Sequence, residues 1–247
     1  MSLKNRSHNT SKKLIQALGS LPGALVSALL PRRCLRCKQI QQATHFCAAC
    51  YAELPYQHHC CRHCGQILNA QADTCGRCLQ NPPHYDACFC PFRYRDPIDA
   101  LVRDFKYHDR PQLANAITDL LANELLAAEI SMPDLLIPVP LHISKLRERG
   151  YNQAWEITRR LSSELGIPCS RQHLIKHRAT ASQAEQSMVQ RRHNIRGSFR
   201  LLKAPGANHI ALIDDVVTTG STASEIAKIL KRNGVDYVQV WGIAHTV

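Results

Sequence analysis

From residue 85 onward the chain alternates short apolar runs with amphipathic stretches. Within 112–130, Leu113, Ile117, Leu120, Leu121 and Leu125 recur at helical spacing and predict a helix with one buried face. The run 134–139 (DLLIPV), held between Pro133 and Pro140, predicts a buried strand. A second helix is expected over 151–165, stopped by Gly166 and Pro168. A short apolar strand over 209–213, a helix over 221–232 ending at Asn233-Gly234, and a β-branched strand over 235–243 complete the pattern. Strands alternating with helices predict an α/β fold with a mostly parallel sheet flanked by helices.

The earlier part of the chain is patterned differently. Residues 14–30 form a modest apolar stretch, broken by Gln16, Gly19, Ser20, Pro22, Gly23 and Ser27. It is too short and too interrupted to span a bilayer, and Arg32-Arg33 closes it without a small-residue cleavage site. We expect a tail and short helix over 1–31, no stable membrane insertion and a cytoplasmic protein. Residues 32–84 carry few large apolar side chains and end at Asn81-Pro82-Pro83, which neither a helix nor a central strand can continue. The expected division is therefore 1–31, 32–84 and 85–247.

What 32–84 lacks in apolar residues it has in cysteine. Eight of the twelve cysteines form four Cys-x-x-Cys pairs: Cys34 and Cys37, Cys47 and Cys50, Cys61 and Cys64, Cys75 and Cys78. The second set repeats the layout of the first with one extra residue in its loop. A Cys-x-x-Cys turn puts two thiolates on one side of a knuckle, and two knuckles supply four sulfurs for a tetrahedral ion. A segment with so small a core needs such staples to offset its ordering entropy. Two structural zinc ions are expected. Spacing alone allows sequential or cross-braced pairing, and sequential closure into two ribbons in tandem is the simpler arrangement. A redox role fits less well, since thioredoxin-like motifs sit singly in a βαβ pattern. Cys60, next to Cys61, is a substitute ligand by type only, while Cys88, Cys90 and Cys169 read as buried thiols.

Charge narrows the partners. Thirty-one Lys and Arg against nineteen Asp and Glu give a formal charge of +12. Two four-thiolate zinc sites reduce that to roughly +8. This balance favours an anionic partner, a phosphorylated small molecule or a nucleic acid, though a basic protein without either role has the same composition. Phe46, Tyr51 and Tyr56 are available to stack on bases or to pack the hairpins.

The most informative stretch is 210–222, IALIDDVVTTGST. An apolar strand ends in Asp214 and Asp215, and Thr218, Thr219, Gly220, Ser221 and Thr222 then lead into a helix. A helix start aims free N–H groups and the positive end of the dipole at one point, where an anion is favoured. The hydroxyls add donors, and the two carboxylates stand where the 2′ and 3′ hydroxyls of a ribose 5-phosphate would lie. No Gly-Lys-Ser/Thr is present, so this is not a P-loop. The stretch resembles the phosphoribosyl-diphosphate (PRPP) signature of type I phosphoribosyltransferases. Thr218 stands where purine-salvage members commonly have Asp, which puts a purine acceptor in doubt. The turn after the first buried strand contains Pro140, followed by Lys145, Arg147, Arg149, Asn152 and Gln153. These residues are candidates for holding a diphosphate, or for a solvated basic face at a helix start. Lys176 and Arg178 precede a polar stretch from 180 to 190 that corresponds in the resembling fold to a mobile hood.

Taken in order, Pro31-Arg32-Arg33-Cys34, the paired Cys-x-x-Cys sets, Phe105-Lys106-Tyr107, Pro138-Val139-Pro140-Leu141, Arg149-Gly150-Tyr151-Asn152-Gln153, Gln183, Arg191, Asn194 and Asp214 to Thr222 resemble the ComF/GntX family. The resemblance implies a double zinc ribbon before a type I phosphoribosyltransferase-like domain. It also implies PRPP with magnesium as ligand and a role in natural competence, with single-stranded DNA or DNA-processing proteins such as a competence helicase as partners. Turnover of PRPP with a small nucleophile, or PRPP sensing without turnover, are the other functions it allows.

Overall fold

The computed structural model describes residues 32–41, 44–69, 72–107, 110, 112–179 and 195–246. The tail expected over 1–31, the hood stretch 180–190, and Gln183, Arg191 and Asn194 lie outside the described residues. Two compact units divide between Leu54 and Pro55.

In the first unit, β1 (Arg32–Arg33) pairs antiparallel with β2 (Ile40–Gln41), and the short helix α1 (Ala48–Ala52) follows. The knuckle between the strands is closed by Lys38 N–H donating to the Cys34 carbonyl at 3.0 Å and Cys34 N–H donating to Gln39 at 2.8 Å. Cys47 caps α1 by accepting from the Cys50 N–H on its sulfur.

The second unit begins with the same device. Gly65 N–H donates to Cys61 and Cys61 N–H to Gln66, both at 2.8 Å, and the short helix α2 (Gly76–Gln80) starts directly after Cys75. One position differs tellingly. Lys38 and Gly65 both follow the second cysteine of a knuckle and both have left-handed φ, +64° and +73°. A Cβ on Gly65 would lie 3.2 Å from the Cys88 sulfur and 3.3 Å from the His245 ring. Lysine is thus acceptable in the first ribbon, whereas the second is pressed against the strands that follow it. Cys88 N–H donating to the Arg62 carbonyl at 3.0 Å seals that contact.

Those strands build the α/β body. The elements in order are β3 (Ala87–Phe89), β4 (Phe92–Arg93), α3 (Ile98–Tyr107), α4 (Leu113–Ala127), β5 (Leu135–Pro138), α5 (Ile143–Arg149), α6 (Gln153–Leu165), β6 (Leu174–Lys176), β7 (Phe199–Leu201), β8 (His209–Ile213), β9 (Val216–Val217), α7 (Ser221–Lys231), β10 (Tyr237–Trp241) and β11 (Ala244–His245). The main sheet has the order β3-β10-β8-β5 and every pair in it is parallel. A smaller parallel sheet, β4-β11-β9, continues three of its strands, and β6 pairs antiparallel with β7.

Strand periodicity explains why both faces are covered. Ile210, Leu212, Val238 and Val240 join Ile226, Ala227 and Leu230 of α7 in one apolar cluster. The alternate residues, Ala211, Ile213 and Trp241, are fully buried on the other face, where α6 packs on β5 and β8 and α4 packs on α6. Each large side chain buried in this way contributes about 1.5–3 kcal/mol. The helix expected over 112–130 is shorter at both ends. α4 ends at Ala127 because Glu129, with φ +49°, cannot continue it. Helix α5 has no counterpart in the sequence pattern. Its seven residues, ISKLRER, bury none of their side chains, so no apolar stripe announces it.

Candidate functional site

In each ribbon the four sulfurs lie within 4.8 Å of one another, Cys34 with Cys37, Cys47 and Cys50, and Cys61 with Cys64, Cys75 and Cys78. Pairing is therefore sequential. A tetrahedral Zn²⁺ with bonds of about 2.3 Å separates its sulfurs by about 3.8 Å. Cys37 and Cys47 are 3.7 Å apart, as are Cys64 and Cys75, so both sets fit one zinc ion each. Burial raises the Cys34 thiol, but N–H donors from Cys47, Cys37 and Arg36 outweigh it and lower its pKa to about 6. Cys50 is pushed up to about 12 by burial and by its sulfur neighbours. Four thiols so close cannot all ionise without a dication among them, which is the charge a zinc ion supplies. All four positions of each shell come from protein, so the centres are structural.

The second centre of chemistry lies at the carboxyl ends of the parallel strands, where open α/β sheets bind ligands. β8 ends at Ile213, and Asp214 continues the ladder by donating its N–H to Trp241 at 2.9 Å. Asp215 is buried, 7% exposed, and Lys106 from the last turn of α3 reaches its Oδ1 at 2.8 Å. Burial lowers Lys106, but Asp215 overcompensates and holds it above its usual range. Burial first, and then the neighbouring Asp215, push Asp214 up to about 7, with Lys106 and Lys176 opposing. Lys106 belongs to the Phe105-Lys106-Tyr107 motif, yet nothing local in the sequence points it at an acid 109 residues later.

Beyond the acids, β9 leads to the threonine-rich turn. Gly220, at φ +67°, caps α7, and Ser224 N–H donates to its carbonyl at 2.8 Å. Thr219 Oγ1 and Ser221 Oγ are 2.7 Å apart. Gly220 has a second reason to lack a side chain, since the Tyr85 hydroxyl occupies the space a Cβ would need. Replacing Gly220 by Ala is expected to cost about 1–3 kcal/mol in strain and overlap. Adding Tyr85→Phe removes the hydroxyl, and denaturant unfolding of the double variant should recover part of that loss.

The turn expected to hold a diphosphate follows β5, beside the acids: Val139 N–H donates to Ile213 at 2.9 Å. Pro140 lies in this turn and lines a cavity of about 680 Å³ together with Tyr151, Trp155, Arg171 and Lys176. Asn152 caps α6 through Trp155 N–H and donates its Nδ2 to the Val139 carbonyl at 3.1 Å, so it fastens the turn to the helix. Gln153 is buried and accepts from Arg149, whose guanidinium also lies 5.2 Å from the Tyr107 ring centre. Lys145 pairs with Glu148 at 2.7 Å and Arg147 is exposed on α5. Lys176 is lowered by burial against the pull of Asp214. Arg178 is exposed. The acids, Pro140, Lys176 and the turn at 218–222 thus share one edge of the sheet, whereas Lys145 and Arg147 engage neighbours or solvent on α5.

The double zinc ribbon domain matches residues 25–79. The chain is 34% identical over 224 residues to the DNA utilization protein YhgH of Salmonella typhi, covering 88% of this chain and 99% of the relative. It is 33% identical to Competence protein F of Haemophilus influenzae, covering 86% and 96%. The chain belongs to the ComF/GntX family. Among solved structures, this ComF/GntX chain matches the glutamine PRPP amidotransferase of B. subtilis at 20% identity, over 57% of this chain and 30% of that one, with a TM-score of 0.38. A purine phosphoribosyltransferase from Pyrococcus horikoshii matches at 16% identity over 53% and 82%, with a TM-score of 0.32. Among the described residues, no helix of the ComF/GntX chain is long and apolar enough to cross a membrane.

Proposed function

We propose that this ComF/GntX chain binds PRPP with magnesium at the carboxyl edge of its sheet and serves, in the cytoplasm, the handling of single-stranded DNA taken up in natural transformation. The observation that carries the ligand is the joint placement of Asp214 and Asp215 and the 218–222 turn at one strand end. The acids accept from the ribose hydroxyls, Thr218, Thr219, Gly220, Ser221 and Thr222 take the 5′-phosphate at the start of α7, and the Pro140 turn with Lys176 takes the diphosphate. Magnesium would enter with PRPP and offset the charge of the diphosphate, which the Pro140 turn and Lys176 would hold. DNA handling is supported by the names of the two relatives and by the +12 charge. Competence and DNA-processing proteins, a competence helicase among them, are the protein partners this role calls for.

Fluorescence anisotropy with a labelled oligonucleotide tests the DNA arm. Single-stranded DNA should bind with an affinity that falls steeply with salt, by roughly 0.7 log units per log unit of salt for each phosphate contacted. Salt-independent binding, or none, removes that arm. The cavity beside the Pro140 turn supports a second reading, in which an aromatic acceptor lies against Trp155 and PRPP is consumed. Diphosphate release in the presence of candidate acceptors distinguishes turnover from binding alone.

Protonation of Asp214 provides a further check. With its pKa near 7 in the free protein, binding that requires the carboxylate must expel a proton below neutrality. PRPP affinity is expected to fall roughly tenfold per pH unit below pH 7 and to level off above pH 8. Titrations of Asp214→Asn should show weaker binding with that slope flattened between pH 6 and 7.

A further inference from the structure

Helix α5 follows the Pro140 turn and buries none of its side chains, yet it has an apolar side. Ile143 and Leu146, three positions apart, share one face of it. Both line the cavity of about 680 Å³ beside the turn, and Ile143 is 51% exposed. Leu141 and Leu174 extend the same apolar wall. β6 is held alongside the turn by a parallel bridge between His142 and Lys176. The volume falls within the range of small-ligand sites, roughly 300–1,000 Å³. α5 thus turns its apolar residues toward an open space instead of toward the core.

The cavity also has an aromatic wall with a charge beside it. Trp155, in the first turn of α6, is half-buried and lines the space. The exposed Arg171 lines it too, with its guanidinium 5.0 Å from the centre of the Trp155 ring. Among the described residues Arg171 has no carboxylate partner. Glu156, the carboxylate in the lining, is paired with Arg159 at 3.2 Å, and Glu148 on α5 is paired with Lys145 at 2.7 Å. Residues 141–178 carry eight Lys and Arg against three Glu, so the cavity lies in a basic stretch of the chain. A purely apolar ligand would leave the arginine unmet, and a bare phosphate would leave the apolar wall in water. A planar ring attached to a phosphate uses both.

The cavity is a neighbour of the PRPP site and distinct from its ribose end. Among the described residues that line it are Pro140 and Lys176 of the proposed diphosphate subsite, but neither Asp214 nor Asp215 and none of 218–222. An occupant is therefore held beside PRPP without having to react with it.

We propose that this cavity receives one base of single-stranded DNA, packed against Trp155, with an adjoining phosphate on Arg171. The inference rests on the DNA arm of the reading above and adds to it a place of binding and a requirement for an unpaired base. A duplex keeps its bases stacked inside and offers none to a pocket, so the site selects single strands.

Intrinsic fluorescence of the full-length zinc-loaded protein tests this, with an unlabelled oligothymidylate of about 16 nucleotides as probe. The chain has two tryptophans, and Trp241 is fully buried with its Nε1 donating to Gln239 at 2.7 Å. A change in emission on adding DNA therefore reports Trp155. The single strand is expected to quench it, and a fully paired duplex is not. Trp155→Leu should lose the quenching and weaken binding, measured by anisotropy, about tenfold, the loss of one stacked base. Arg171→Gln, at an exposed position, should weaken binding roughly threefold or more and reduce the salt slope by about 0.7. Arg103→Gln, which removes an exposed arginine paired with Asp99 on α3, should change neither. If the oligonucleotide binds by anisotropy with emission unchanged, and both cavity variants bind it like the wild type, the pocket is wrong and the DNA reading stands. Equal quenching by the duplex overturns the entry of an unpaired base. If a free nucleobase quenches Trp155 and releases diphosphate from PRPP while the oligonucleotide does neither, the cavity is an acceptor site and the proposal falls. Absence of any oligonucleotide binding removes the DNA reading and this proposal together.

Discussion

Replacing Asp214 and Asp215 together by Ala is expected to abolish PRPP binding, a loss of at least about 100-fold, while both zinc ions remain bound. In the proposed complex the two carboxylates accept from ribose hydroxyls, and each such charged hydrogen bond is worth about 1.5–3 kcal/mol. Folding should survive the change. Asp214 is already driven toward its neutral form by burial and by Asp215, and removing both acids takes away that repulsion. Lys106 loses its partner at a site only 19% exposed, which costs some stability. Zinc content should therefore stay at two per chain and unfolding should stay cooperative, with a lower transition temperature from the loss of the Lys106 pair, which separates a site defect from a folding defect. An unchanged affinity for PRPP in this variant would refute the assignment of the ribose subsite.

The two ribbons should respond very differently to loss of a ligand. Cys34→Ser and Cys75→Ser are each expected to bind about one zinc instead of two. Cys34 belongs to the first unit, so the transition of residues 55–247 should stay in place. Cys75 belongs to the same compact unit as the sheet, and its ribbon packs on β3 and β11 through Gly65, Cys88 and His245. Structural zinc contributes roughly 10 kcal/mol or more to folding. Even half of that corresponds to a fall of roughly 10 °C or more in a domain of this size. Cys75→Ser should also weaken PRPP binding, because Tyr85, ten positions further on, is the side chain packed against Gly220. Calorimetry of both variants beside zinc analysis checks this. Equal losses in the two would mean that the second ribbon is no more integrated than the first.

How much of this was legible in the sequence depends on the range over which each feature is determined. The cysteine knuckles are local: spacing alone puts two sulfurs on one side of a turn, and the structure pairs them sequentially. The strand at 209–213 and the helix after Gly220 are local as well, since apolar run, acids and turn residues follow one another directly. Helix α5 escaped because it buries no side chain and so lacks the stripe by which helices are recognised. Lys106 could be quoted as part of a motif but not assigned a partner, because its contact with Asp215 depends on how α3 lies over the sheet. The integration of the second ribbon did leave a trace: Gly65 stands where the first ribbon has Lys38. Its meaning becomes plain only when Cys88 and His245 are seen against it.

The central claim is that the carboxyl edge of the sheet is a PRPP site, and isothermal titration of the zinc-loaded protein with PRPP and magnesium tests it most directly. One PRPP per chain should bind, with an affinity that weakens below pH 7 as Asp214 takes up its proton. Absence of any binding heat at millimolar PRPP, with both zinc ions in place and the protein folded, would contradict the account.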